Sequence, residues 1–136
     1  MIGIIDYNMG NLASVYNACK LIDAQATIVK NPEDLKNFNR VILPGVGAYK
    51  DAMEHLIKTG MNEAVYEFAK SGKPMIGICL GMQLLFESSQ EFGHTDGLGL
   101  IDGEVIKFDK SKMHEDFKIP HMGWNTIKNK EHALFE

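Results

Sequence analysis

Cysteine is scarce: the 136 residues hold two, Cys19 and Cys79, too few for the disulfide framework of a small secreted domain. No apolar run reaches the roughly 20 residues that cross a bilayer. The opening Met1–Asp6 is a short apolar stretch with no basic lead, unlike a signal peptide. These absences lead to the expectation of a reducing, cytoplasmic setting and no membrane. Positive charge is not concentrated either. Fourteen Lys and Arg against 18 Asp and Glu give a net charge of −4, scattered along the chain. There is no basic stripe for nucleic acid and no acidic tail for a disordered interaction arm. None of the five histidines falls in a metal-ligand spacing such as His-Glu-x-x-His. No metal and no organic cofactor is expected.

What is present suits one ordinary domain, 1–136, with 45% hydrophobic residues and enough length for a core. Continuously apolar stretches alternate with helical patterns. Ile2–Ile5, Ala26–Val29, Val41–Leu43 and Met75–Cys79 read as strands. Asn8–Asn11 forms a turn that caps a helix from Leu12 to about Ile22, whose apolar face would hold Leu12, Val15, Tyr16, Cys19 and Ile22. Cys19 is therefore read as a packing residue. Asn31 caps a short helix with Pro32 at its first position. Asp51–Lys58 and Asn62–Lys70 read as helices broken at Gly60, and another helix is expected from Leu80 to about Ser89. From Gly93 the pattern turns to short strands, some of them antiparallel. Buried strands separated by helices imply an α/β fold with a doubly wound, mostly parallel sheet and helices on both faces. In such sheets ligands bind beyond the carboxyl ends of the strands. The loops at Asp6–Asn11, Pro44–Ala48 and Cys79 all lie at that rim.

Gly77-Ile78-Cys79-Leu80-Gly81 carries the chemistry. Gly-x-Cys-x-Gly between a strand and a helix is the sequence form of a nucleophile elbow. A cysteine there sits at a strained turn and at a helix N-terminus, which favours a reactive thiolate. The N–H of Leu80 is placed to donate to an oxyanion. A buried structural cysteine in a strand-to-helix turn has the same short pattern. Pro44-Gly45-Val46-Gly47 lacks the third glycine of a dinucleotide fingerprint and the Gly-Lys-Ser/Thr of a P-loop. It is read as a plain tight turn or as a loop that turns N–H groups toward a substrate carbonyl. Ile119–Asn125 holds the one tryptophan, Trp124, which is either core or an exposed partner anchor.

Together Leu43–Tyr49 (Leu-Pro-Gly-Val-Gly-Ala-Tyr), Gly77–Gln83 (Gly-Ile-Cys-Leu-Gly-Met-Gln) and Pro120–Asn125 (Pro-His-Met-Gly-Trp-Asn) resemble class I glutamine amidotransferases. Met82 stands where many amidotransferases carry His. With the Pro-His-Met-Gly-Trp-Asn segment it narrows the resemblance to glutaminase subunits of imidazole glycerol phosphate synthases, whose opening is also similar to Asp6–Asn11. That resemblance implies a flavodoxin-like fold and glutamine hydrolysis, with Cys79 as the nucleophile that forms a glutamyl thioester. It implies that Gly45, Val46, Gly47 and Leu80 form the oxyanion hole and that Gln83 helps hold L-glutamine. It implies a (β/α)8 cyclase partner in histidine biosynthesis that receives the ammonia, faced by Asn11, Met122, Gly123 and Trp124.

The family supplies its base and orienting carboxylate as His-x-Glu on a later strand, and these 136 residues contain no His-x-Glu. His94-Thr95-Asp96 has the nearest spacing but follows the elbow in a glycine-rich stretch. His114 with Glu115 and Asp116 reads as a solvated charged loop, His121 belongs to the partner segment, and His55 reads as a surface helix residue. The resemblance extends over the whole chain and about the N-terminal two-thirds of a family member. The C-terminal strands of the sheet are expected to be missing, and glutaminase turnover by the 136 residues alone is expected to be near zero. Other readings are an ammonia-supplying paralogue for a surface-sugar amidotransferase, a non-catalytic module that docks through Trp124 and Asn11, and a thiol redox protein.

Overall fold

A computed structural model describes residues 1–113, 119–126 and 128. Four strands, β1 (Ile2–Ile5), β2 (Ala26–Val29), β3 (Arg40–Leu43) and β4 (Met75–Gly77), pair in parallel in the order β2-β1-β3-β4. The connections are α1 (Leu12–Leu21), a 3-10 turn over Pro32–Asn37, and the pair α2 (Tyr49–Thr59) and α3 (Met61–Lys70). The sheet is therefore built from parallel crossovers, as its unbroken apolar strands predict. The order runs outward from β1 in both directions, so the chain reverses direction between β1 and β3. The loops after those two strands stand at that switch point, where α/β sheets bind ligands.

The elements form for local reasons. Asn11 accepts the Ser14 N–H at 3.2 Å and starts α1, and Asn31 accepts the Glu33 N–H and starts the Pro32–Asn37 turn. Gly60, at φ +72°, ends α2 in the left-handed conformation, and α3 begins at the next residue. One face of the sheet presents Ile5, Val29, Val41 and Leu43 to Ala52, Leu56, Met61, Val65 and Phe68 of α2 and α3. The other presents a row with one isoleucine per strand, Ile28, Ile4, Ile42 and Ile76. Beneath α1, Ile4 is fully buried, whereas Ile76 on β4 remains 45% exposed.

The segment after the elbow departs from the expected Leu80–Ser89 helix. α4 is one turn, Leu80–Gln83, followed by a strand, β5 (Phe86–Ser89). With β6 (Thr95–Asp96) and β7 (Ile101–Val105), β5 makes a second sheet, antiparallel to β6 and parallel to β7. A longer helix is prevented because its carbonyls are taken. Those of Leu84, Leu85, Phe86 and Glu87 accept N–H groups of residues 97–101.

Three smaller expectations also change. β4 ends at Gly77, which frees Ile78 and Cys79 to make the turn. α1 ends at Leu21, leaving Ile22 and Tyr16 on the surface, and among its residues Cys19 is the one buried. His55 flanks the buried stripe of α2 next to Leu56, so it is half-buried with its Nδ1 enclosed rather than a surface residue. The His114–Asp116 reading and the final segment 129–136 lie outside the described residues.

Candidate active site

Cys79 adopts φ +55°, ψ −118°, a conformation that non-glycine residues rarely enter. The turn is held from both sides. The Ile78 N–H donates to the Leu43 carbonyl on β3, and the Gly81 N–H returns to the Ile78 carbonyl, both at 3.0 Å. The flanking glycines are sterically required. A Cβ on Gly77 would lie 2.6 Å from Met82 Cα, and one on Gly81 would lie 1.9 Å from the Leu43 oxygen. Lacking those side chains, the elbow seats directly on the end of β3 and leaves Cys79 exposed as a free thiol. Among the described residues no hydrogen bond is made by the Leu80 N–H, which leads α4.

The Pro44–Ala48 loop is built against this turn. A Cβ on Gly45 would meet the Gly81 nitrogen at 2.6 Å and Leu80 Cβ at 3.0 Å. Val46 and Gly47 stay exposed, Gly47 at φ +96°. The loop after β1 reaches the same place: the Tyr7 hydroxyl donates to the Pro44 carbonyl at 2.9 Å. The three loops expected at one rim are also in contact, with Gly45, Leu80 and Gly81 at the junction. Gln83 is half-buried one turn beyond Cys79. It lines a cleft of about 440 Å³ with Ser89, Gln90, Glu91, Phe92, Val105, Ile106 and Lys107.

Two residues that the sequence did not single out connect these parts. Glu91 reaches back to accept the Tyr49 N–H at 2.7 Å and so caps α2, whose own N-cap, Ala48, offers no side-chain acceptor. Tyr7 is the second. Glu91 gave no signal because it follows a segment read as helix, and Tyr7 stood within the Asp6–Asn11 opening without a role of its own.

The remaining sites lie apart or pair elsewhere. His94 pairs through Nε2 with Asp96 at 3.0 Å and through Nδ1 with Gln90. Asn11 serves as the cap of α1. Trp124 and Met122 are exposed, Trp124 completely, and among the described residues nothing crowds Gly123, so Trp124 is not a core residue there. No group of three or more His, Cys, Asp or Glu that could hold a metal occurs among the described residues. No helix among them is long and apolar enough to cross a membrane.

Burial pushes the Tyr7 phenol well above the usual tyrosine range. Burial, and then the charge of Asp96, also raises Tyr49. The folded chain keeps these protons where the unfolded chain releases them, so their contribution is intact below about pH 10 and falls away above it. Urea midpoints should therefore drop as pH rises through about 10, and Tyr7→Phe should flatten that drop. An unchanged slope in the variant would contradict this.

The family model "Glutamine amidotransferase class-I" matches residues 3–136. An imidazole glycerol phosphate synthase subunit HisH of Sulfurimonas denitrificans is 62% identical over 136 residues, covering 100% of this chain and 66% of that protein. The HisH subunit of Bacillus licheniformis is 51% identical over 129 residues, covering 94% and 61%. The chain thus spans somewhat less than two-thirds of the length of these relatives. A crystal structure of a glutamine amidotransferase superposes with a TM-score of 0.66 at 21% identity, over 77% of this chain and 55% of that one, which speaks for the fold. The elbow, the glycine loop packed on it, the parallel sheet beneath and the match over residues 3–136 agree: this chain belongs to the class-I glutamine amidotransferase family.

Proposed function

We propose that this chain is the nucleophile-bearing part of a glutaminase that serves imidazole glycerol phosphate synthase. The observation that carries the reading is the strained, exposed Cys79 at φ +55° with the glycine loop packed against its turn. Cys79 Sγ attacks the side-chain amide carbon of L-glutamine. The carbonyl oxygen takes up charge facing the Leu80 N–H and the Gly45–Val46–Gly47 backbone. The C–N bond breaks, the thiol proton leaves with ammonia, and a glutamyl thioester remains. Water then cleaves the thioester to glutamate and restores the thiol. Glu91 and Lys107, of opposite charge in the cleft beside Gln83, suit the ammonium and carboxylate of an amino-acid substrate. Among the described residues the Cys79 thiol has no hydrogen-bonded base, since His94 is engaged with Asp96 and Gln90.

The ammonia passes to a (β/α)8 cyclase subunit, faced by Asn11, Met122, Gly123 and Trp124. Support for this surface is the full exposure of the Trp124 indole, the residue type most enriched at energetic centres of interfaces. Trp124→Ala should weaken binding of the cyclase subunit by roughly thirtyfold or more. Because the indole is fully exposed among the described residues, thermal stability should not move. Calorimetric titration and a melt check both; unchanged affinity would remove Trp124 from the interface.

The test of the activity is glutamate and ammonia release by the full-length protein with the cyclase subunit present. Equal release of the two products is expected. Release at the background rate would overturn the proposal.

A further inference from the structure

The Gly45–Gly47 loop is anchored before its first glycine by a side chain from the loop that follows β1. Tyr7, directly beyond β1, is 1% exposed, and its hydroxyl donates to the Pro44 carbonyl at 2.9 Å. That carbonyl belongs to the Pro44–Gly45 peptide. A trans peptide is planar with its N–H opposite its C=O, so holding the oxygen fixes the direction of the Gly45 N–H. The hydroxyl also stands where it limits movement: a Cβ on Gly45 would lie 2.8 Å from it and 2.6 Å from the Gly81 nitrogen. The phenol, the Gly45 backbone and the start of α4 therefore form one three-way contact behind Cys79.

The same N-terminal loop supports the next residues. Met9 Cε would be 3.1 Å from a Cβ on Gly47, and a Cβ on Gly10 would be 3.3 Å from Pro44 Cγ. At the far end Glu91 holds the Tyr49 N–H. Between these anchors Val46 is 49% exposed. Glycine confers no rotational restraint of its own, so the orientation of this loop depends on what holds its ends.

We infer that Tyr7 is a positioning residue for the oxyanion loop. Its hydroxyl holds the Pro44–Gly45 peptide in register with the Cys79 elbow, and it ties the Asp6–Asn11 loop to the loop that faces the reacting carbonyl. The inference rests on the glutaminase reading above for its catalytic consequence and on the hydrogen bond for its structural one. A held loop matters most to the oxyanion, which forms only as the thiol attacks, and less to substrate binding. Loss of the hydroxyl should therefore appear in kcat rather than KM.

Tyr7→Phe in the full-length protein with its cyclase subunit tests this while preserving the buried ring. Expected is a fall in kcat of roughly five- to tenfold, the scale of one neutral hydrogen bond, with KM unchanged within about twofold. The rate at which iodoacetamide alkylates Cys79 should not change, because the thiol itself is untouched. Amide exchange at Gly45 and Val46 should quicken by a similar factor. Unchanged kcat with unchanged exchange overturns the inference. So does a rise in KM that accounts for the whole loss, or a parallel loss of alkylation rate. Absence of glutamine turnover in the unsubstituted protein would defeat the glutaminase reading instead. In that event the exchange comparison still decides whether Tyr7 holds the loop.

Discussion

Replacing Cys79 with glycine should abolish glutamine hydrolysis and yet make the protein more stable. On the glutaminase function proposed above, the sulfur forms the thioester, so without it turnover in the full-length protein should fall by roughly a thousandfold or more. The stability follows from the backbone. Cys79 stands at φ +55°, ψ −118°, in a region that costs a residue with a Cβ about 1–3 kcal/mol. Glycine enters the same region without that cost. The side chain lost is exposed, so little packing is given up. Cys79→Gly should gain about 1 kcal/mol, reduced from the full strain by the greater freedom of glycine in the unfolded chain. Cys79→Ala is the control, since it removes the sulfur but keeps the Cβ. It should be as inactive as Cys79→Gly and no more stable than the unsubstituted protein. Thermal melts of the two variants check the difference, and a Cys79→Gly variant less stable than Cys79→Ala would show that the turn is not strained.

The second large effect is expected at Gly81. A Cβ there would lie 1.9 Å from the Leu43 carbonyl oxygen and 2.8 Å from its carbon. Both belong to the backbone of β3, so no side-chain rotation relieves the overlap. The same carbonyl accepts the Ile78 N–H at 3.0 Å, and pushing the elbow away from β3 breaks that bond as well. Gly81→Ala should therefore cost about 3 kcal/mol or more, at the upper end of overpacking costs plus a hydrogen bond. Gly123→Ala, where nothing lies within 4 Å among the described residues, should stay within about 0.5 kcal/mol. Urea denaturation of the two variants gives the comparison. A Gly81→Ala protein as stable as Gly123→Ala would mean that α4 does not seat on β3 as described.

Local signals in the sequence explain why much of this was legible. β2 and the turn at Pro32 carry their own boundaries, an apolar run in one case and an Asn cap with proline in the other. The elbow was legible because glycine, cysteine and glycine at fixed spacing are what a turn pressed against a strand requires. The segment after it was not. Leu84, Leu85 and Phe86 look helical by composition, and what ends the helix is a set of N–H groups at 97–101 that reach their carbonyls across a loop. Nothing near Leu84 announces those partners. Glu91 and Tyr7 were missed as anchors for the same reason. Each bonds backbone far away in sequence, at Tyr49 and at Pro44, and neither position differs from an ordinary acid or core aromatic until the chain is folded. Tyr16 and Ile22 show the converse. They fit the helical period of α1, but a surface helix that buries little beyond Cys19 leaves them in solvent.

The most direct test of Cys79 as the nucleophile is to mix the full-length protein with L-glutamine, quench in acid within the first turnovers and map the peptides by mass. A glutamyl adduct on the peptide containing Cys79, absent from Cys79→Ala, is the expected result. Glutamate formed at a normal rate by Cys79→Ala, or an adduct carried by another residue, would contradict it.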